Sequence, residues 1–173
     1  MRGLAWLSGG VSLALYAALL WLMVGHVMPA ANGHVMPDFH AFGYAPDVLS
    51  RFLTALQPHA RAVILGPIAM LDTVFPICLA VFLCTLSWQL SAFVHIGLRM
   101  LMLIAPIGFA VMDLCENVLV RDLIMAAGPM DVSTALLASQ VTATKFLLLF
   151  ASLVVLIVTW TRRSRRMQKG QPE

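Results

Sequence analysis

The sequence predicts an all-α protein: a bundle of four transmembrane helices with a short amphipathic helix in the first outer loop. Of the 173 residues, 61% are hydrophobic and only 11% are charged, whereas a soluble domain carries about 25% charged residues. Four apolar stretches each exceed the ~20 residues that cross a bilayer. We expect a single integral membrane domain over residues 1–173, with spans at about 4–24, 62–88, 98–120 and 133–160.

Tryptophans mark the ends of these spans. Trp6 and Trp21 bracket the first, while Trp88 and Trp160 close the second and fourth, which is the placement expected at membrane interfaces. The first span could also be read as a signal peptide, but its apolar run exceeds the ~7–15 residues of a signal core. We therefore interpret it as a retained anchor.

Basic residues predict the orientation. The tail, residues 161–173, contains four arginines and one lysine, and Arg2 and Arg99 lie at the same side of the predicted bundle. Because arginine and lysine favour the cytoplasmic side, we expect both termini to be cytoplasmic and the protein to lie in the cell's inner (plasma) membrane. The tail is suited to anionic lipid, and nucleic-acid binding is a poor explanation for it.

The first outer loop, residues 25–61, contains a repeat of Gly-His-Val-Met-Pro at 25–29 and 33–37. Imidazole and thioether ligands together suit copper, so a metal site is a conceivable alternative; its candidate ligands are His26, His34, His40, Met28 and Met36. However, the spacing matches no established ligand pattern, and glycine and proline are common turn formers. We favour turns, and predict no metal and no other cofactor.

The second half of this loop predicts the amphipathic helix. Pro46 suits a first helical turn, and apolar residues then recur at helical spacing until Leu56. Pro58 follows and is expected to end the helix. This helix could lie on the outer membrane face or cap the bundle.

Polar residues inside the spans define the candidate site. Ionisable groups in hydrocarbon are costly, so they usually face a partner, a cavity or a transport path. At ~1.5 Å per residue, polar groups from all four spans fall about 21–26 Å above the cytoplasmic end. The predicted buried network comprises Tyr16, Asp72, Asp113, Glu116, Asn117, Thr142 and Lys145.

Two features of this layer predict specific contacts in the structure. Three carboxylates and one ammonium would carry a net charge of −2, so we expect Lys145 to contact a carboxylate and another carboxylate to be neutralised. Pro76 has no N–H and leaves the carbonyl of Asp72 without its helical bond, which predicts a kink and a nearby donor. Arg61 and Arg121 are further candidates to reach the layer.

Three segments resemble an uncharacterised family of four-span bacterial integral membrane proteins with LDxxFP, DxxEN and TxxK motifs. In this chain the motifs are residues 71–76, 113–117 and 142–145. The resemblance implies a four-span bundle in which the polar layer acts as a unit, but it implies no activity.

Function remains open among three hypotheses. The first is a non-enzymatic membrane subunit or scaffold, favoured by the small size and by the absence of Walker, H-E-x-x-H, G-x-S-x-G and dinucleotide motifs. The alternative is a proton- or cation-coupled small transporter or channel component, and a second alternative is an intramembrane lipid-modifying enzyme. The expected partners are the lipid bilayer and either a second copy or another membrane protein.

Overall fold

Four long helices dominate the computed structural model, which describes residues 2–126 and 130–169. These helices are long and apolar enough to cross a membrane, and they cover Gly3–Val27, Pro58–Leu90, Ile96–Met125 and Val132–Arg166. Within the described ranges there is no strand. The predicted all-α four-helix class is therefore confirmed, with each span extending a few residues beyond its predicted bounds.

The first span is α1, Arg2–Leu22, which continues into a π-helical turn at Met23–Val27. A 3₁₀ turn, Pro29–Ala31, follows and ends in left-handed backbone at Asn32 (φ 51°) and Gly33 (φ 79°). Glycine adopts this conformation without steric penalty, so the chain reverses here. The first Gly-His-Val-Met-Pro copy thus ends the span, as the turn interpretation predicts.

Helix α2, Pro46–Ala55, confirms the predicted amphipathic helix. Leu49 and Phe52 are buried and belong to one apolar cluster with Val120 and Ala138, near the ends of the third and fourth spans. Of the two predicted placements, the helix therefore caps the bundle. We call the side that carries residues 28–57 the loop side, and the opposite side the termini side.

The second span is interrupted by a wide turn that the sequence analysis did not predict. It begins with α3, Pro58–Val63, passes through a π-helical turn at Ile64–Ile68, and continues as α4, Ala69–Leu90. Pro67 lies inside the turn. Because proline lacks an N–H, Pro67 cannot make the i to i−4 bond of a regular α-helix, and here the chain takes the wider π-helical turn.

The third span is also divided. Helix α5, Ile96–Leu101, and helix α6, Ile104–Met125, are separated at residues 102–103, where a single helix was predicted. Pro106 lies in the first turn of α6, so the carbonyl of Met102 has no helical donor. Proline is tolerated in a first turn, which places the break just before it.

The fourth span, α7, runs from Val132 to Lys169. Its 38 residues reach about 57 Å at ~1.5 Å per residue, so α7 extends past the bilayer at the termini side. Asp131 caps its start by accepting hydrogen bonds from the backbone N–H groups of Ser133 (3.1 Å) and Thr134 (3.2 Å). The hydroxyls of Thr134 and Ser133, with these amides, lower the pKa of Asp131 to about 2.

The long helices pack unequally. Helix α6 packs along α7, and α4 packs on both, whereas α1 packs mainly on α4. The α1–α4 approach is close at Gly9, where a Cβ atom would lie 2.9 Å from the Phe82 ring. Because α1 makes few contacts with α6 and α7, space remains between the first span and the rest of the bundle.

Candidate ligand-binding site

An ion-paired triad lies in the bundle interior toward the loop side. The ammonium Nζ of Lys145, on α7, is 3.0 Å from Asp113 Oδ1 and also pairs with the Glu116 carboxylate. All three side chains are buried. Asp113 and Glu116 are three residues apart on α6 and therefore share one helical face. The predicted contact between Lys145 and a carboxylate is confirmed, and it involves two carboxylates.

Thr142 extends this triad by one helical turn. Its hydroxyl lies within hydrogen-bonding distance of the Glu116 carboxylate and 2.9 Å from the carbonyl of Ala138; its one proton can serve only one of them. Ala138, Thr142, Lys145 and Ser152 are all buried. These four residues form a small, polar stripe on α7, and the stripe faces the bundle interior.

Asn117 satisfies the carbonyl that Pro76 leaves free. Its side-chain Nδ2 donates to the backbone oxygen of Asp72 at 3.1 Å. Helix α4 is continuous through Pro76, so the predicted kink is not visible as a break. The predicted nearby donor is present, and it links α6 to α4 at the level of the triad.

Two of the predicted network residues border the triad without joining it. The Asp72 side chain is only half-buried, and no ion pair links it to Lys145 in the described part of the chain. Tyr16 is 45% exposed, and its ring stacks on Phe75 with centroids 5.7 Å apart. Both residues line a cavity. The Asp72 carboxylate also interacts electrostatically with Asp113 and Lys145.

This cavity has a volume of about 660 Å³, within the range of about 300–1,000 Å³ typical of ligand sites. Asp38, Asp72, Asp113 and Lys145 provide its charged lining toward the loop side. The remainder is largely apolar and aromatic. It is built mainly by α1 and α4, with Met23 of the π-helical turn, Phe109 of α6 and Leu149 of α7; the α1 and α4 residues include Trp6, Gly9, Gly10, Leu13, Leu19, Phe75, Leu79 and Phe82. Trp6 and Leu13 are 81% and 71% exposed, so the cavity opens toward lipid.

Asp38 was not predicted as a site residue. It contributes to the same cavity as Asp72 and Asp113 and interacts electrostatically with Lys145. Helical periodicity cannot show that a loop folds inward, so the sequence pattern gives Asp38 no role in the site. Asp38 lies in a 3₁₀ turn, Pro37–Phe39, formed by the second Gly-His-Val-Met-Pro copy and the residues after it.

Tyr44 was also missed. Its backbone N–H donates to the Ser139 hydroxyl at 2.8 Å, and its buried side-chain hydroxyl lies beside Thr142. Burial and the nearby Glu116 carboxylate raise the pKa of Tyr44 to about 12. Gly43 makes this approach possible: its φ is +82°, and a Cβ atom there would lie 2.8 Å from Ser139 Oγ. Tyr44 thus covers the triad from the loop side.

The two candidate arginines do not reach the layer. Arg61 donates to the carbonyls of Ile124 (3.0 Å) and Leu53 (3.3 Å), which ties the cap to the end of α6. Arg121 is exposed. An arginine near a helix end can donate to carbonyls that have no helical partner. Arg61 donates to such carbonyls and therefore does not extend to the polar layer.

The candidate metal ligands are not assembled into a site. In residues 2–126 and 130–169, no group of three or more His, Cys, Asp and Glu side chains could hold a metal ion. Met36 is buried in the apolar cluster and Met28 packs against it. The His26 ring packs edge-on against Trp21 at 5.2 Å, His34 is exposed, and the His40 ring lies 6.0 Å from that of Tyr44.

Comparisons of this chain with protein-family models, with curated proteins and with solved structures find no match. The resemblance to the four-span family with LDxxFP, DxxEN and TxxK motifs therefore stays a prediction. Function has to be argued from the cavity and its charges.

Proposed function

We propose that this protein binds an amphiphilic lipid, whose apolar chain lies in the cavity that α1 and α4 line together with α6 and α7, and whose head group meets the carboxylates at the loop side. The observation that carries the proposal is the cavity itself: it is open to lipid, largely apolar along its length, and charged at one end. An amphiphile likewise has a long apolar part and a polar or charged group at one end.

The dimensions support this proposal. Along α1 the lining extends from Trp6 to Met23, which is about 26 Å at ~1.5 Å per residue. A bilayer's hydrocarbon core is about 30 Å thick, or about 15 Å for each leaflet, so the lining is long enough for an extended lipid chain from one leaflet. With the predicted orientation, the charged end lies in the outer leaflet, where a lipid would enter head group outward.

The cavity also changes the order of the three hypotheses. A scaffold needs no ligand cavity, and a cation pathway would need an opening on the loop side, where Tyr44 and α2 cover the triad. A lipid-modifying enzyme requires a lipid-accessible cavity beside Asp72 and Asp113, and such a cavity is present. Lipid modification is therefore the second candidate, with lipid binding as its first step. Association with a second copy or another membrane protein stays a proposal.

Native mass spectrometry of the protein extracted from its membrane tests lipid binding. Gly10 lines the cavity, and a Cβ atom at this position meets nothing within 4 Å. Gly10→Phe should therefore fill the cavity without a clash. The matched control is Gly3→Phe, on the same helix but outside the cavity lining, where a Cβ atom also meets nothing within 4 Å.

We expect a bound lipid mass on the wild-type protein and on Gly3→Phe, and its loss from Gly10→Phe. Equal lipid occupancy in the two variants would contradict the proposal, as would a wild-type protein without any bound amphiphile.

A further inference from the structure

We infer that the head group bound at this cavity is cationic, a protonated amine on a single long apolar chain. This inference rests on the proposed lipid binding and deepens it by naming the ligand class. It follows from two observations that do not depend on each other: the balance of charges around the cavity, and buried carboxylate oxygens without donors.

The charges around the head-group end are strongly unbalanced. Asp38, Asp72 and Asp113 line the cavity, and Lys145 is the one basic residue in that lining within the described chain. Lys145 already contacts both Asp113 and Glu116. Lys145 also interacts with Asp38 and Asp72 electrostatically, but neither carboxylate has an ion pair at contact distance within the described lining. A positive charge on the ligand would supply one.

The unpaired oxygens point to the same ligand. Asp113 Oδ2 and Asp38 Oδ1 are buried, and no described donor reaches them in hydrogen-bonding geometry; the Asn117 amide lies near Asp113 but donates to the carbonyl of Asp72. The Asp113 residue is only 4% exposed. An ionised carboxylate can only accept hydrogen bonds, and a buried acceptor without a donor is costly. An ammonium offers three donors and no acceptor, which matches what these oxygens lack.

The neighbouring aromatic rings fit this head group as well. Tyr16 and Phe75 stack beside Asp72 and line the cavity. Ring faces attract cations, whereas a phosphate or carboxylate head group would be repelled by the surrounding carboxylates. The same arrangement thus selects for an amine and against anionic lipids.

Three probes of equal chain length separate the alternatives: dodecylamine, dodecanol and dodecanoic acid. Each is titrated, below the concentration at which it aggregates, into delipidated full-length protein in a neutral detergent, and binding is measured by calorimetry. Hydrogen bonds to charged groups contribute about 1.5–3 kcal/mol, so we expect dodecylamine to bind at least about tenfold more tightly than dodecanol. Dodecanoic acid should bind most weakly.

Substitution then locates the head group. Asp72→Asn should weaken dodecylamine binding about tenfold and leave dodecanol binding unchanged. The matched control is Asp47→Asn, since Asp47 is an exposed carboxylate on α2 that pairs with Arg51 away from the cavity. It should bind all three probes as the wild type does. Size-exclusion elution like that of the wild type verifies that both variants are folded.

The outcomes distinguish the inference from the proposed function. If dodecanol or dodecanoic acid binds as tightly as dodecylamine, and Gly10→Phe abolishes that binding, the cationic head group is overturned while lipid binding stands. Unchanged dodecylamine affinity in Asp72→Asn also overturns the inference. If no probe binds, or if binding is insensitive to Gly10→Phe, the inference and the proposed function fail together.

Discussion

At the scale of single residues, Lys145 links α7 to α6. Its single positive charge pairs with Asp113 and Glu116, both of them buried on α6. A buried charge without a partner costs several kcal/mol. The triad therefore fixes how α7 lies against α6, and it leaves Asp38 and Asp72 without an ion pair at contact distance within the described chain.

Removing this ammonium should destabilise the protein strongly. We expect Lys145→Met to lower the free energy of unfolding by roughly 3–5 kcal/mol, because two carboxylates lose their partner. Adding Asp113→Asn and Glu116→Gln in the same chain should recover most of the loss. Denaturant unfolding in mixed micelles measures both effects. A Lys145→Met variant as stable as the wild type would contradict the paired layer.

The bond between Asn117 and the Asp72 carbonyl makes a second prediction. Asn117→Leu removes the donor and should cost about 1–3 kcal/mol of unfolding free energy. Pro76→Ala restores a backbone N–H that can bond the same carbonyl. The cost of Asn117→Leu should therefore shrink in the Pro76→Ala background. The same cost in both backgrounds would show that the carbonyl does not depend on Asn117.

Tyr44 makes a prediction that depends on pH. Free tyrosine ionises near pH 10, whereas burial raises the pKa of Tyr44 to about 12. Between these values the unfolded chain has lost the proton and the folded chain keeps it. This contribution to stability is therefore complete below pH 10 and is lost as the pH rises to about 12.

Ultraviolet titration measures this ionisation, and the chain has only two tyrosines. Tyr44→Phe should remove the ionisation step near pH 12. Ionisation of Tyr44 near pH 10 in the folded protein would contradict its buried position.

At the scale of elements, hydropathy was sufficient to predict the four spans and the amphipathic helix, but not the interruptions within the spans. Pro67 and Pro106 were visible in the sequence, yet proline within a span can be accommodated in several ways. The structure widens the turn at Pro67 and begins a new helix just before Pro106. Whether a proline widens a turn or begins a new helix depends on how the neighbouring helices pack, and the sequence of one span does not show that packing.

The same reasoning explains which site residues were predictable. Asp113, Glu116 and Asn117 share a face through helical periodicity, so their grouping followed from spacing alone. Tyr44 reaches the site through a hydrogen bond to Ser139, 95 residues away along the chain. A loop contact of that range has no periodic signal in the sequence.

The packing of α1 on α4 gives an element-scale prediction with an internal control. Gly9→Ala places a Cβ atom 2.9 Å from Phe82, whereas Gly10→Ala meets nothing within 4 Å. We expect Gly9→Ala to lower the free energy of unfolding by about 1–3 kcal/mol. Gly10→Ala should be neutral or stabilising by up to about 1 kcal/mol, because alanine favours helix. Thermal unfolding in detergent compares the two, and equal effects would contradict the close approach at Gly9.

At the scale of the whole molecule, the cavity results from unequal packing. Helices α4, α6 and α7 form a close group held by the triad and by Asn117, while α1 packs mainly on α4. The inward-folded loop then brings Asp38 to one end of the remaining space. The result is a site whose charged end and apolar length match an amphiphile within the bilayer.

The most direct test of this account is a density map of the wild-type protein in lipid nanodiscs, compared with that of Gly10→Phe. The account predicts an elongated density along α1 and α4 in the wild type, ending at Asp72 and Asp113, and its absence in the variant. A wild-type map in which α1 closes against α6 and α7 and leaves no cavity would contradict it, as would a cavity that holds only water.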